Sequence, residues 1–289
     1  MNAVGYYKLG LRVAPRLPLV VGYALCRAVG IASYLFNRSA RQAVQSNMRH
    51  VVGKAASKGL INRLARGVFV NNFKNYFDML RLESLTNEQI IEVVTVEGAE
   101  YIDEGLKLGR GVIMYTAHLG NFNLIIQLPT ALGYKFNLLA EPVEPPELYA
   151  FLTEMRESHG AKLIPVGGPA IMQAIRALKR NEILGIAADR DVTNSGQAVM
   201  MFDAEAVLPV GTVQLAARLN VPLIPAHIYR RPDNSSHAII YPPMQLEHTG
   251  DLERDTAINL RKVATTMEQF IARTPEQWVV LQAIWPEDR

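Results

Sequence analysis

The sequence predicts an α/β fold in which helices cover both faces of a mostly parallel central sheet. Short apolar runs alternate with amphipathic stretches from residue 111 to residue 229, as in parallel strands joined by covering helices. The run at 111–116 is short, apolar and partly β-branched, which is typical of a strand buried on both faces. With 289 residues, the chain can bury a large core without a metal or disulfide.

Composition narrows the classes of partner. Hydrophobic residues make up 49% and charged residues 20% of the chain, a balance that makes membrane contact plausible. The net charge of +3 is too small to indicate nucleic-acid binding, although an anionic lipid surface or a phosphorylated substrate fits it. Cys26 is the only cysteine, which excludes an internal disulfide and fits a reducing compartment.

Residues 1–58 are predicted to form an amino-terminal helical extension that associates with membranes, and residues 59–289 to form the α/β domain. An apolar segment at 17–36 is interrupted only by Arg27. A signal peptide would show a small-residue cleavage site and then a polar mature start, whereas more apolar and basic sequence follows this segment. A spanning helix would hold Arg27 near the bilayer centre, at a cost of several kcal/mol unless the side chain reaches the interface. We therefore favour a helix hairpin in the cytoplasmic membrane interface, with a buried helix capping the domain as the alternative.

The remaining elements follow in order. Residues 37–53 are polar and basic and predict a helix that faces lipid phosphates or water. A helix at 60–82 is indicated by Leu64, Val68, Asn71, Asn75 and Met79 at helical spacing. Helices are then predicted at 98–107, 122–133, 146–159, 169–180, 210–219 and 252–273. Strands are predicted at 93–96, on an edge, and at 111–116, 135–140, 162–166, 183–188, 222–229 and 238–245, with a polar loop and a short apolar run at 189–208.

His118 is the central candidate for chemistry. It follows the predicted strand 111–116 and precedes a Gly120–Asn121 turn that opens a helix. Ligands and catalytic groups collect where strand carboxyl ends meet helix amino termini, and free N–H groups there stabilise negative charge. The alternative interpretation is a core or helix-entry histidine without chemistry.

Other chemistries lack support in the sequence. There is no Gly-x-Ser-x-Gly elbow, no phosphate-binding glycine loop, no dinucleotide fingerprint and no histidine or cysteine at metal-ligand spacing. Asp189, Arg190 and Asp191 follow strand 183–188 at the same predicted sheet edge as His118; the alternative is an exposed loop with local ion pairs. Arg156, near the end of helix 146–159, either binds a phosphate or faces solvent.

Several separated stretches resemble the bacterial lipid A biosynthesis acyltransferase family. They are, in order, NMRHVVG, NYFDMLRL, TAHLGNFN, ADRDVTNSG with LPVGTVQLAARLNVPLIPAHIYR, and PEQWVVLQAIW. TAHLGNFN is similar to the family's His-x4-Asp/Glu signature, and the ADRDVTNSG stretch resembles the phosphatidylinositol mannoside acyltransferase branch in particular. The resemblance implies a glycerolipid acyltransferase-like α/β fold.

It also implies transfer of a fatty acyl chain from acyl-CoA or acyl-carrier protein to a hydroxyl of a glycolipid, such as a phosphatidylinositol mannoside or a lipid A precursor. The partners would be membrane lipids, at the cytoplasmic face of the cell membrane with a peripheral or single anchor, and neither nucleic acid nor a metal or other cofactor is expected. His118 would be the general base, with Asp189 and Asp191 in the family's acidic loop. Substrate contacts would come from Gly120, Asn121, Glu141, Arg156 and Arg190, the first two through backbone N–H groups that hold the oxyanion.

Asn123 departs from the family pattern, because it occupies the position of the signature's acidic residue. Asparagine carries no charge to stabilise a protonated imidazole. Three explanations are open: Asp189, Asp191 or Glu141 supplies the carboxylate; the chain is a degenerate member that binds lipid or acyl thioester with little or no turnover; or the asparagine is an introduced change. A soluble acyl-CoA hydrolase is a further alternative. Acyl chain length, acceptor identity and oligomeric state are not predicted by the sequence.

Overall fold

A computed structural model describes residues 3–288, so residues 1, 2 and 289 of the predicted domain bounds lie outside it. The helices are α1 (Ala3–Val13), α2 (Leu19–Phe36), α3 (Arg38–Val52), α4 (Lys58–Met79), α5 (Asn87–Glu92), α6 (Glu100–Leu106), α7 (Phe122–Ala131), α8 (Pro146–Glu157), α9 (Ala170–Lys179), α10 (Gly211–Leu219) and α11 (Leu252–Arg273). The strands are β1 (Val94–Glu97), β2 (Val112–Thr116), β3 (Phe136–Ala140), β4 (Lys162–Pro165), β5 (Ile183–Ala187), β6 (Gln197–Met201), β7 (Ala204–Leu208), β8 (Leu223–Arg230) and β9 (Ser236–Ile240).

Seven strands form the central sheet in the order β1-β9-β8-β2-β5-β3-β4. The five strands from β8 to β4 are parallel, whereas β9 runs antiparallel to β8 and β1 runs parallel to β9. The predicted mostly parallel sheet and the edge position of β1 are therefore confirmed. β2 lies between β5 and β8. Its carboxyl end therefore lies beside the carboxyl end of β5 on one side and beside β8, the longest strand of the sheet, on the other.

Alternation along the strands divides the core between the two sheet faces. Val112 and Ile183 pack with Ile126 of α7 on one face. Ile113 and Leu184 pack on the other face, in a cluster that contains the apolar side chains of α9, α10 and α11. Helices thus cover both faces, as the alternation of strand and helix patterns predicts.

The amino-terminal helix α2 packs along α4 through a stripe of small residues. Gly22, Cys26 and Gly30 are buried at spacings of four. A Cβ atom at Gly30 would lie 2.7 Å from the Cα atom of Val70, so only glycine allows this approach of the two backbones. Since α4 also contacts α7, it connects the amino-terminal helices to the sheet domain. The domain division at residues 58 and 59 stays a prediction.

The stretch at 189–208 differs from the predicted loop. It contains the antiparallel hairpin β6–β7, whose turn residues Phe202 and Asp203 have φ angles of +50° and +57°. Both turn residues of a type I′ hairpin need positive φ, for which the usual sequence is Asn-Gly, and Phe-Asp carries no such signal. The last predicted strand is also shorter than expected, since β9 ends at Ile240 and not at residue 245.

Candidate active site

Strand register brings His118 and Asp189 together. Thr116 of β2 pairs with Ala187 of β5 in the parallel ladder. His118 and Asp189 each lie two residues beyond that pair, at the carboxyl edge where the strands end. The meeting of the two side chains therefore follows from the pairing of two adjacent parallel strands.

Asp189 holds the His118 ring. Its Oδ1 atom lies 2.7 Å from His118 Nδ1, and its Oδ2 atom accepts from His118 N at 2.9 Å and from Trp278 Nε1 at 2.7 Å. Asp189 is completely buried. Burial raises the pKa of this carboxyl. The charge of His118 and the hydrogen bonds from His118 and Trp278 together lower the pKa by more than burial raises it, so that the pKa is about 2. The carboxylate is therefore ionised at any physiological pH.

The other ring nitrogen of His118, Nε2, has no hydrogen-bond partner among the described residues. Nδ1 is occupied by Asp189, and the edge of the ring lies against Phe122, with ring centroids 5.8 Å apart. The side chain is 24% exposed and lines the large cavity of the molecule. With a carboxylate accepting from Nδ1–H, the neutral ring presents Nε2 as a proton acceptor to that cavity.

The turn after His118 is fixed by its neighbours. Gly120 has φ +57°, and a Cβ atom there would lie 2.8 Å from Tyr229 Cα. Its N–H donates to Gln277 O at 3.2 Å, and its carbonyl accepts from Asn75 Nδ2 at 2.7 Å. The Gly120 N–H is therefore already bonded, and not free for an oxyanion as the resemblance implies.

Asn121 belongs to a buried network. Its side-chain oxygen caps α7 by accepting from Leu124 N, and its Nδ2 donates to Asp78 Oδ2 at 2.9 Å. Asp78 also accepts from Arg230 Nη2 at 2.6 Å and from the hydroxyl of Tyr23 at 2.8 Å. The structure thus gives Asn121 a part in fixing the turn, and its side chain is withdrawn from the cavity.

Asn123 contacts Arg156 and not His118. Its Nδ2 donates to Asn75 O at 3.3 Å, and its Oδ1 accepts from Arg156 Nε at 3.4 Å. Burial lowers the pKa of Arg156, while Tyr76, Tyr149 and Tyr7 oppose that shift. Within residues 3–288, no carboxylate lies within ion-pair distance of this guanidinium, which lines the cavity with a positive charge still available to a substrate anion.

The other acidic candidates lie away from the ring of His118. Asp191 accepts from the backbone N–H groups of Thr193 and Gly196, at 2.9 and 2.7 Å. Burial raises its pKa and these bonds outweigh it, so the pKa is lowered. Glu141 pairs with Arg190, which also donates to Gln282 at 3.0 Å. The side chains of Asp191, Glu141 and Arg190 line the cavity, but Asp189 alone among the described carboxylates contacts His118.

The cavity has a volume of about 1160 Å³ and a mostly apolar lining. Its walls include Met114, Ile126, Phe136 and Leu138, between α7 and one face of the sheet, and continue to residues of α9 and α10. Of the α7 residues expected to form a wall, Ile125, Ile126 and Leu128 line it, whereas Leu124 packs into the core beside Leu128 and α8. The space is large enough for a long apolar chain, and His118 is one of its lining residues.

An apolar surface lies on the amino-terminal helices. α2 is long and apolar enough to cross a membrane, by length and composition. Its large side chains are exposed on the face away from α4, with Val20 and Phe36 exposed by 82% and 87%. Arg27 is exposed within the same helix.

Sequence reasoning assigned no role in the site to four residues that hold its turn. Tyr23, Asp78 and Arg230 form the network behind the turn, and Asn75 of α4 clamps Gly120. They come from helices and strands far apart in the chain, so only tertiary packing brings them together. The quoted motifs nevertheless contain most of them, since Asn75 and Asp78 lie within NYFDMLRL and Arg230 ends LPVGTVQLAARLNVPLIPAHIYR, as Trp278 lies within PEQW. No group of histidine, cysteine and acidic side chains among the described residues is arranged to hold a metal ion.

Comparisons with known proteins identify a family for the chain. The family described as bacterial lipid A biosynthesis acyltransferase matches residues 6–287. A phosphatidylinositol mannoside acyltransferase of Mycolicibacterium smegmatis is 28% identical, over 100% of this chain and 96% of that protein. A phosphatidylinositol mannoside acyltransferase of Mycobacterium tuberculosis is 26% identical, over 73% of this chain and 66% of that protein.

Proposed function

The chain belongs to the bacterial lipid A biosynthesis acyltransferase family, and from that membership we propose that it moves a fatty acyl chain from a thioester to a hydroxyl of a membrane glycolipid. The donor is acyl-CoA or acyl-carrier protein. The acceptor is a glycolipid of the phosphatidylinositol mannoside class, the class on which the named relatives act. The reaction needs no metal or other cofactor.

One observation carries the proposal: a buried, ionised carboxylate holds Nδ1 of a histidine whose other nitrogen faces an apolar cavity. The carboxylate orients the ring and stabilises the imidazolium that forms when Nε2 takes a proton. Acyl transfer to an alcohol requires such a base, because an alcohol is a weak nucleophile until its proton is removed.

In the proposed step, Nε2 of His118 accepts the proton of the acceptor hydroxyl while the hydroxyl oxygen attacks the carbonyl carbon of the thioester. The tetrahedral intermediate collapses by breaking the carbon–sulfur bond. The leaving thiolate takes the proton from the imidazolium, so the products are an ester and a free thiol and His118 is neutral again. Asp189 stays ionised throughout.

Negative charge on the carbonyl oxygen needs a counterpart. Since Gly120 N–H is bonded to Gln277, the candidates are the amino end of α7, where Phe122 and Asn123 line the cavity, and the guanidinium of Arg156. A helix amino terminus carries a partial positive charge. Arg156 serves either this oxyanion or a phosphate of the substrate.

We propose that the protein associates with a membrane through the exposed apolar face of α2. The face carries Val20, Phe36 and their apolar neighbours, and the basic side chains Lys8, Arg12 and Arg16 precede it. Apolar side chains entering the lipid and cations facing anionic headgroups are the two features of an interfacial helix. We place the enzyme on the cytoplasmic face, consistent with its single free cysteine.

Asp189 also bears on the asparagine at position 123. Of the explanations open in the sequence, supply of the carboxylate by Asp189 agrees with its contact to His118. A degenerate, non-catalytic protein has no need for a fully ionised carboxylate buried behind a cavity-facing histidine. That alternative is therefore not favoured.

The test is transfer of labelled palmitate from acyl-CoA to phosphatidylinositol dimannoside in mixed vesicles. His118→Ala is expected to abolish acceptor acylation, and Asp189→Asn to lower kcat by about 10³- to 10⁴-fold. Asp233→Asn, at an exposed loop aspartate, is the matched control and keeps full activity. Full turnover in His118→Ala would overturn the mechanism, and equal release of free fatty acid without any acceptor would identify a hydrolase instead.

A further inference from the structure

A second, polar cleft lies beside the catalytic cavity. It has a volume of about 900 Å³ and lies between α3 and the carboxyl-terminal segment 281–288. Ser39, Gln42, Ser46 and Arg49 of α3 form one wall. Their spacings of three, four and three residues place them on one face of the helix, over a length of about 15 Å.

The cleft connects two features already described. At one end, Ser39 follows the exposed Phe36 by three residues, so this end lies next to the apolar face of α2. The cleft also shares lining residues with the cavity that holds His118, because Asp191, Leu281 and Gln282 line both. A headgroup whose lipid tails remain at the apolar face can therefore extend along α3 toward the catalytic histidine.

The side chains of the cleft suit hydroxyl groups. Within the described part of the chain, the side chains of Ser39 and Gln42 have no hydrogen-bond partner, and Gln282 uses only its Oε1, which accepts from Arg190. Ala43 and Leu281 add small apolar surfaces to the lining, against which the C–H face of a sugar ring can pack. Amides that donate and accept, beside apolar patches, match the mixed surface of a pyranose.

The charges argue against a polyphosphate. Arg49 is the only basic residue that lines the described cleft, whereas Asp191 and Asp288 both line it with carboxylates. Like charges disfavour the phosphates of coenzyme A at this place. A neutral polyol carries no such penalty.

We propose that this cleft binds the carbohydrate headgroup of the acceptor and leads the hydroxyl to be acylated toward His118. The inference rests on the proposed function and adds to it the place and chemical class of the acceptor's polar part. The acyl donor then occupies the apolar cavity from the other side of His118. Asp191 and Gln282 lie at the boundary between the two spaces.

Two variants test the cleft. Gln42→Ala removes the amide that would hydrogen-bond to the sugar hydroxyls of the acceptor. We expect KM for phosphatidylinositol dimannoside to rise by about five- to tenfold and KM for acyl-CoA to stay unchanged. Ala43→Trp fills the cleft, and we expect acceptor acylation to be lost while slow hydrolysis of acyl-CoA without acceptor continues. Gln173→Ala, a helical glutamine outside both spaces, is the matched control and changes neither constant.

A binding measurement separates this inference from the proposed function. The deacylated, water-soluble headgroup of phosphatidylinositol dimannoside is titrated into the wild-type protein and both variants, followed by calorimetry. Binding by the wild type that is weakened in Gln42→Ala and lost in Ala43→Trp supports the cleft even without turnover. Unchanged headgroup binding in Ala43→Trp, or a rise in KM for acyl-CoA in place of the acceptor, would overturn it. Absent turnover by the wild type would instead count against the proposed function.

Discussion

At the scale of single residues, packing separates the side chain at position 123 from His118. Its amide lies between the Asn75 carbonyl and the Arg156 guanidinium. A carboxylate at this position would therefore form an ion pair with Arg156, and Nδ1 of His118 would still be occupied by Asp189. The asparagine and the family's acidic residue differ here mainly in the charge that they leave on Arg156.

We predict that Asn123→Asp does not raise kcat. The new carboxylate neutralises Arg156 and faces a backbone carbonyl. KM is therefore expected to rise by about tenfold for the substrate whose anionic group Arg156 contacts, which is the effect of losing one charge-assisted hydrogen bond. Steady-state kinetics with acyl-CoA and glycolipid varied in turn will measure this. A tenfold gain in kcat would mean that residue 123 reaches the histidine during turnover.

His227 predicts a pH dependence of stability. The ring is 1% exposed, stacks on Phe270 at 4.9 Å and has no hydrogen-bond partner on either nitrogen among the described residues. Burial, with Arg273 and His237 nearby, lowers its pKa from 6.5 to about 4. Below pH 6.5 the unfolded chain therefore binds a proton at this residue that the folded chain binds only near pH 4.

The free energy of unfolding should accordingly fall as pH falls through this window, by about 2 kcal/mol between pH 7 and pH 5. His227→Phe keeps the stacked ring and removes the titration, so its stability should change less over the same range. Urea unfolding at both pH values will compare it with wild type and with the exposed-site control His248→Ala. Equal pH dependence in all three proteins would contradict the prediction.

At the scale of elements, the contact between α2 and α4 depends on glycine. We predict that Gly30→Ala destabilises the protein by about 1–3 kcal/mol, because its Cβ atom would lie 2.7 Å from the Val70 backbone and neither helix can shift freely. Gly59→Ala on α4 is the control, since its Cβ atom meets nothing closer than 3.8 Å. That change should be neutral or stabilising by up to about 1 kcal/mol. Thermal unfolding of the two variants checks the difference.

Element types were largely predictable from periodicity, and the exceptions have a physical cause. Parallel strands such as β2 and β5 are marked by their apolar runs. The β6–β7 hairpin was missed because Phe202 and Asp203 adopt positive φ without glycine or asparagine. The Phe202 ring lies against Trp285, and its N–H donates to Glu268 at 2.8 Å, so tertiary contacts stabilise a turn that local preference disfavours.

The candidate site was predictable in part. His118 and Asp189 each follow an apolar strand, and a parallel sheet brings such positions to one edge. The pairing register of β2 with β5 decides which of Asp189, Asp191 and Glu141 contacts the histidine. That register can be deduced only if β5 is known to lie next to β2, and the sequence does not give the order of the strands. The partners of Gly120 and Asn121 were not predictable, because they come from α4, β8 and the segment after α11.

At the scale of the whole molecule, the exposed face of α2 should control where the enzyme works. We predict that Val20→Asp combined with Phe36→Asp weakens binding to vesicles containing phosphatidylglycerol by at least about tenfold, since each side chain contributes about 1.5–3 kcal/mol on entering lipid. Met200→Asp, at an exposed apolar residue of β6, is the control. Co-sedimentation with vesicles measures the effect. Unchanged binding of the double variant would mean that α2 is not the contact surface.

The hydrogen bond between Tyr23 and Asp78 has a consequence for protein engineering. Tyr23 lies on the apolar amino-terminal helix, and Asp78 is bonded through Asn121 to the turn beside His118. Cutting the chain before residue 37 to obtain a water-soluble fragment would uncover Phe77 and remove one of the donors to Asp78. The fragment would lose order where the turn must be rigid. A water-soluble form of this protein therefore has to be made by exchanging exposed apolar side chains for polar ones, with the helix that carries them left in place.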